Sequence, residues 1–287
     1  MKKAGKAGGP SGGRHVAGRH LVVDIGNTNT VIGLFQGASR GKRPLRQGIL
    51  HRWRLATRKD TTVDEITMWL HGLLRSEEER AGIARAAMAS VVPGLDESWA
   101  RALEDVFGKP PQTLDFSNCL GLKLDYEIPR QIGADRLANV LGAHALGHAQ
   151  GVVIDLGTAT TYDVFGPDAY LGGIICPGIQ SSLRSLAQTA AKLSEVELRW
   201  TDRAIGKTTD DALRIGMLQG TLGQVEYLLK AIFAETGMRK PSVIATGGLA
   251  PLLGGHSQAI HSVEPDLTLI GINHLLDGKY IKGSRKK

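Results

Sequence analysis

Two aspartates in this chain end short apolar runs and are followed, one residue later, by glycine and then by small polar residues. The first run reads LVVDIGNTNTVIG from Leu21 and the second GVVIDLGTATTYDVFG from Gly151. A carboxylate at the end of a buried strand is costly unless something positive meets it. Asp24 and Asp155 are therefore candidates for managing a cation. Gly26 and Gly157 permit a close approach of backbone to ligand. Asn27, Thr28, Asn29 and Thr30 in one copy, and Thr158, Thr160 and Thr161 in the other, add donors suited to phosphate oxygens. One copy alone would pass for a closed turn. Two copies point to a polyphosphate held between two lobes.

Other chemistries are poorly supported. GKTT at Gly206 lacks the upstream glycine and strand of a P-loop and reads as a helix start. Cys119 and Cys176 lie far apart in no metal or redox spacing, as in a reducing compartment, and Cys176 is expected as a small packed side chain. His144 and His148 stand at helical spacing without a third ligand, so a helix surface is expected. Trp53, Trp69, Trp99 and Trp200 are expected as core or interface anchors.

The net charge of +7 is concentrated at the ends. Lys2, Lys3, Lys6, Arg14 and Arg19 precede the first strand, and Lys279, Lys282, Arg285, Lys286 and Lys287 close the chain, with no acid among them. The body left between them is slightly acidic, which disfavours a nucleic-acid reader. No apolar stretch approaches the ~20 residues that span a bilayer, and no secretory signal pattern is present. A cytoplasmic protein with disordered, solubilising ends is expected.

The elements that must position the two turns come in two similar series. HLVVDIG, TVIGLFQG and GILHRWRLAT read as three strands, followed by a helix over 64–75, the strand ARAAMASVVP and helices over 95–107 and 133–150. The order restarts at Gly151 with strand, turn, strand and the strand AYLGGIICPG. Helices over 179–190 and 209–235, the strand PSVIATGG and a closing helix over 268–276 complete it. Thr208 or Thr209 is a natural cap for the long helix, whose Leu213–Leu229 apolar residues suit a core or dimer face. The expected division is a basic tail over 1–19, one half over 20–147, a second over 148–278 and a tail over 279–287.

DIGNTNTVIG, GADRLAN, DLGTATTYD, GGIICPGI, GKTTDDALRIGMLQG and ATGGLA occur here in the order seen in type III pantothenate kinases, which the chain resembles from about Leu21 to Leu276. That resemblance implies an α/β fold of duplicated ribonuclease-H-like (actin-like ATPase) domains, each a mixed five-stranded sheet flanked by helices. It implies transfer of phosphate from ATP to pantothenate, the first step of coenzyme A biosynthesis. ATP would be bound by Asp24, Ile25, Gly26, Asn27, Thr28, Asn29, Thr30, Val31 and Thr158. Pantothenate would meet Tyr126, Gly133, Ala134, Asp135 and Arg136, with Thr209 supplied by the other subunit of a homodimer. Asp135 would be the general base and Arg136 a fork for the substrate carboxylate. Asp155 would bind a monovalent cation, K+ or NH4+, and Mg2+ would accompany ATP. Gly247 and Gly248 resemble the adenosine-side turn.

Thr208, where Asn or Asp is common, and Ile128, where a polar residue often stands, depart from the family pattern without touching the base or the cation ligand. Two other readings remain open at this point. One is a silent regulatory protein on the same fold, disfavoured by the presence of Asp24, Asp135 and Asp155 together. The other is a kinase for a different small hydroxylated substrate, since fold never fixes substrate.

Overall fold

The computed structural model describes residues 18–37, 48–189 and 196–278. Nearly all of the expected basic tails lie outside these residues. The chain begins with an antiparallel trio, β1 (Arg19–Ile25), β2 (Asn29–Gln36) and β3 (Ile49–Ala56). Helices α1 (Val63–Leu73) and α2 (Glu77–Ala81) lead into β4 (Ile83–Ser90), which runs parallel to β1. After α3 (Pro93–Phe107) come the short strands β5 (Gln112–Thr113) and β6 (Lys123–Leu124), then α4 (Ala134–Ala145).

The second series repeats the first. It contains β7 (Gly151–Leu156), β8 (Ala159–Phe165), β9 (Ala169–Pro177), α5 (Ile179–Thr189), α6 (Thr209–Thr236), β10 (Ser242–Thr246), α7 (Ala250–Leu253), β11 (Ser262–Val263) and α8 (Leu267–Asp277). The first sheet has the order β3-β2-β1-β4-β5 and the second β11-β10-β7-β8-β9-β6. Without β6, the second order matches the first strand for strand, so the fold is the duplicated ribonuclease-H-like arrangement. The expectation of five strands in each sheet needs one correction. β6 precedes the repeat in sequence, yet it adds a sixth strand to the second sheet by pairing with β9.

Burial parity explains the near-continuous apolar runs at the sheet centres, because both faces of each sheet are covered. Leu21, Val23 and Ile25 pack outward with Ile66, Leu70, Trp99 and Leu103 of α1 and α3. Val152, Ile154 and Leu156 pack outward with Leu218, Leu222, Val225 and Leu229 of α6. Val22 and Val153 face the opposite way, into a shared central layer with Leu137 and Leu141 of α4 and Ile270 of α8. Asp24 and Asp155 keep the parity of Val22 and Val153, and so they face the same middle layer.

Helices α4 and α8 pack against each other in that layer. Their internal glycines allow it: a Cβ on Gly271 would collide with the Ala138 carbonyl oxygen, and one on Gly142 with that of Leu267. Helix α4 stops at Ala145 rather than near Gln150, because Gly147 takes φ +93°. His144 does not lie on an open helix surface as expected. It is half-buried with its ring edge-on to Phe165 at 5.2 Å, and burial pushes its pKa down to about 4. The starts of α1 and α6 follow local chemistry. Thr62 and Glu65 form a capping box, and Thr208 caps α6 by accepting from the Asp211 N–H at 3.1 Å.

Candidate active site

Both Asp-x-Gly turns leave their strands toward one cavity of about 580 Å³, a size suited to a small-molecule site. In the first turn the Gly26 N–H closes onto the Asn29 carbonyl at 3.0 Å. In the second the Gly157 N–H reaches the Ala159 carbonyl at 3.0 Å, one residue sooner. The hydroxyls of Thr28 and Thr158 meet at 3.0 Å. The cavity is lined by Asp24, Gly26, Asn27, Thr28, Asn29 and Val31 from the first series and by Asp155, Gly157 and Thr158 from the second.

Asp135 joins them from the first turn of α4. Its Oδ1 accepts the Arg136 backbone N–H at 2.8 Å. Four aspartates line the cavity; Asp266 is paired with Arg52 at 2.8 Å, and the other three, Asp24, Asp155 and Asp135, hold a proton more readily than usual. Burial pushes Asp24 up to about 8, with the charges of Asp135 and Asp155 adding to the shift and Arg54 opposing it. Burial and then Asp135 push Asp155 up to about 6, against a hydrogen bond from Asn139. Burial raises Asp135 too, partly offset by the Arg136 N–H and charge. Carboxylates that repel one another in a partly dry cleft fit an oxygen-ligated cation arriving with a ligand. Among the described residues no three His, Cys, Asp or Glu side chains form a ready metal cage.

Not every expected residue lines the cavity. Ile25 has the outward parity and sits in the core under α1 and α3, so only its backbone is near the turn. Thr30 is also turned away, its hydroxyl 2.9 Å from that of Thr57. Gly133 and Ala134 form the bend into α4, beside the cleft rather than in its lining. Tyr126 packs edge-on to Tyr170 with ring centroids 6.1 Å apart. Thr209 is exposed at the start of α6, outside the lining.

Arg136 is turned into the protein. Its guanidinium is buried, with Nε donating to Asp163 Oδ1 at 2.6 Å and Nη2 to the Tyr162 carbonyl at 3.4 Å. It also lies 5.8 Å from the Tyr170 ring centroid. The Tyr170 hydroxyl donates to the same Asp163 oxygen at 3.1 Å. In this structure the guanidinium is buried, outside the cavity lining, and its Nε is spent on Asp163 rather than on a substrate carboxylate.

Several site residues escaped the motif reading. Asn139, one helical turn beyond Asp135, donates to Asp155 Oδ2 at 3.2 Å and accepts from the Thr268 hydroxyl at 2.8 Å. It stands inside GADRLAN, and its spacing from Asp135 marks one helix face. Arg52 and Arg54 alternate along β3 toward the cavity. Gly247, expected at the adenosine-side turn, follows β10 with φ +89°, where a Cβ would collide with an Asp155 carboxylate oxygen.

The chain is similar to known proteins over most of its length. A family model for type III pantothenate kinase matches residues 20–231. The type III pantothenate kinase of Desulfosudis oleivorans is 40% identical over 255 residues, which cover 88% of this chain and 96% of that protein. That of Rhizorhabdus wittichii is 40% identical over 268 residues, covering 90% and 97%. Among solved structures, a Campylobacter jejuni protein described as of the Baf transcriptional activator family gives a TM-score of 0.55 at 18% identity, over 90% of this chain and 97% of the other. The ethanolamine utilization protein EutJ of Carboxydothermus hydrogenoformans gives 0.50 at 15% identity, over 90% of each chain. At such identities these two structures speak for the fold alone. The family match spans both turns, the helix that carries Asp135 and most of α6, and the chain belongs to the type III pantothenate kinase family.

Proposed function

We propose that this chain transfers the terminal phosphoryl group of ATP to the primary hydroxyl of pantothenate, giving 4′-phosphopantothenate and ADP in the step that opens coenzyme A synthesis. The observation that carries this reading is the placing of Asp135 in the same cavity as Asp24, Asp155 and both turns. Phosphoryl transfer requires alignment and charge neutralisation more than covalent help. The two turns present backbone N–H groups and the Thr28 and Thr158 hydroxyls to the phosphates. Asp135 takes the proton of the attacking hydroxyl as the oxygen–phosphorus bond forms and ADP departs. Its raised pKa suits a base that must hold that proton.

Asp24 would hold Mg2+ and Asp155 a monovalent cation such as K+ or NH4+; both carboxylates are buried near the charge of Asp135, a repulsion that a cation relieves. When bound with ATP, Mg2+ would supply neutralisation of the phosphate charge. A homodimer is part of the proposal. Thr209 is exposed at the start of α6 and outside its own chain's cleft lining, which supports its use in a neighbouring subunit. No helix of the described residues is long and apolar enough to cross a membrane, which is consistent with work in the cytoplasm.

The test is ADP release by the purified chain with ATP and Mg2+, with and without pantothenate, in K+ and then in Na+. Pantothenate-dependent release, faster in K+, is the expected result. ATP binding without release in any salt would overturn the kinase reading.

A further inference from the structure

We infer that Arg54 engages the transferred phosphate of ATP, an assignment that rests on the kinase reading above. In the first sheet Asp24 of β1 is in register with Val31 of β2, and Val31 with Arg54 of β3. Residues in register across antiparallel strands present their side chains on one face. The Asp24 carboxylate and the Arg54 guanidinium therefore share the cleft face, two strand spacings or ~10 Å apart. All three residues line the cavity. Between the two charges there is room for a phosphate group above Val31 and beside the first turn.

The end of β3 is tied to that turn. The Thr57 N–H donates to the Thr28 carbonyl at 3.0 Å, and the Thr57 hydroxyl lies 2.9 Å from that of Thr30. Arg54 is thus carried on the same rigid unit as the donors that would grip the phosphates. Its neighbour Arg52 is already paired with Asp266 at 2.8 Å. Arg184 also lines the cavity, but on α5, whose Ser181 hydroxyl donates to the carbonyl of Thr158 in the second turn. Arg54 stands in register with Asp24 on the first sheet, and its charge acts on that carboxylate.

The internal repeat supplies a control. The matching triplet in the second sheet is Asp155, Thr161 and Ile175, by the same two registers. The fold thus accepts an exposed isoleucine where the first half carries an arginine. A guanidinium at this position is not required for folding, and it stands in an acid-rich cavity where ATP would add further negative charge. A planar fork that binds two phosphate oxygens explains why the position is Arg.

The experiment compares ATP and ADP binding, each with Mg2+, by the full chain and by Arg54→Gln, together with turnover at saturating ATP. Arg54 is exposed, so the substitution leaves the core intact. The expected result is a loss of ten-fold or more in ATP affinity, or in turnover, with ADP affinity within about three-fold of the unaltered chain. Arg54→Lys falls between the two, because it keeps the charge and loses the fork. Equal losses for ATP and ADP, or no change in binding and turnover, overturn the assignment while leaving the kinase reading in place. Failure of the unaltered chain to bind ATP overturns both.

Discussion

The Thr28 and Thr158 hydroxyls, 130 residues apart in sequence, lie 3.0 Å from each other. Each belongs to one copy of the repeated turn, so the two halves of the chain touch at their turns. A ligand gripped by one turn is within reach of the other. Thr28→Ala and Thr158→Ala should each weaken ATP binding. Because the hydroxyls are in contact, the double variant should lose less than the sum of the single losses, with a coupling of about 0.5–3 kcal/mol. Titration calorimetry on the four proteins checks this. Strict additivity would mean that the turns act separately.

Asp135 stands in the first turn of a helix, whereas Asp24 and Asp155 stand near the ends of strands. Asp135→Asn keeps the size of the side chain but cannot accept the hydroxyl proton. Turnover should fall by about 10²–10⁴-fold while ATP affinity changes little. Near-normal turnover in this variant would remove Asp135 from the role of base.

Burial holds the Asp24 carboxyl at a pKa of about 8 in the folded chain, against 3.8 for the ordinary side chain. Between those values the folded state binds a proton that the unfolded state has released. Its contribution to stability is therefore lost as pH rises through that window, when no cation is bound. Asp24→Asn mimics the protonated form. In chelated, low-salt buffer its melting temperature should exceed that of the unaltered chain at pH 8, and the gap should close toward pH 5. Thermal scans at three pH values decide it. A gap that widens toward acid would contradict the burial of this carboxylate.

Much of the fold is legible because the chemistry that specifies it is local. Leu21 to Ile25 and Val152 to Leu156 announce buried strands, Thr62 and Thr208 mark helix starts, and the repeated Asp-x-Gly declares the duplication. Contacts made at long range are less legible. Lys123–Leu124 carries no sign that it will pair with β9, since a two-residue strand has no periodicity. Arg136 beside Asp135 reads as a cleft residue. Its partner Asp163 sits 27 positions later, and only the packing of α4 against β8 brings them together. Arg54 reads from sequence simply as a strand residue, because its register with Asp24 is set by two hairpins.

Asn139 is the joint between α4, β7 and α8, holding Asp155 with its amide N–H and receiving the Thr268 hydroxyl. If Asp155 holds a monovalent cation, Asp155→Ala should abolish the difference between K+ and Na+ and weaken nucleotide binding. Asn139→Ala should keep a K+ response but shift it several-fold to higher K+, since the carboxylate remains and loses only its orientation. Turnover measured against K+ concentration separates the two. An unchanged K+ curve in Asn139→Ala would show that Asp155 needs no such support.

The pair of Arg136 and Asp163 offers a direct choice between a substrate fork and an internal anchor. Asp163 is fully buried, and burial lifts its pKa to about 7 even against the adjacent guanidinium. Its Oδ2 has no hydrogen-bond partner among the described residues. Removing Arg136 would strand that carboxyl in the core of the second sheet. Arg136→Ala should therefore cost about 3–5 kcal/mol in stability. The double replacement Arg136→Met with Asp163→Leu should cost less, because neither charge is left alone. Denaturant unfolding of the single and double variants reads this directly. A stable Arg136→Ala protein whose only defect is a raised KM for pantothenate would restore the substrate fork, and would require the guanidinium to leave Asp163 when pantothenate binds.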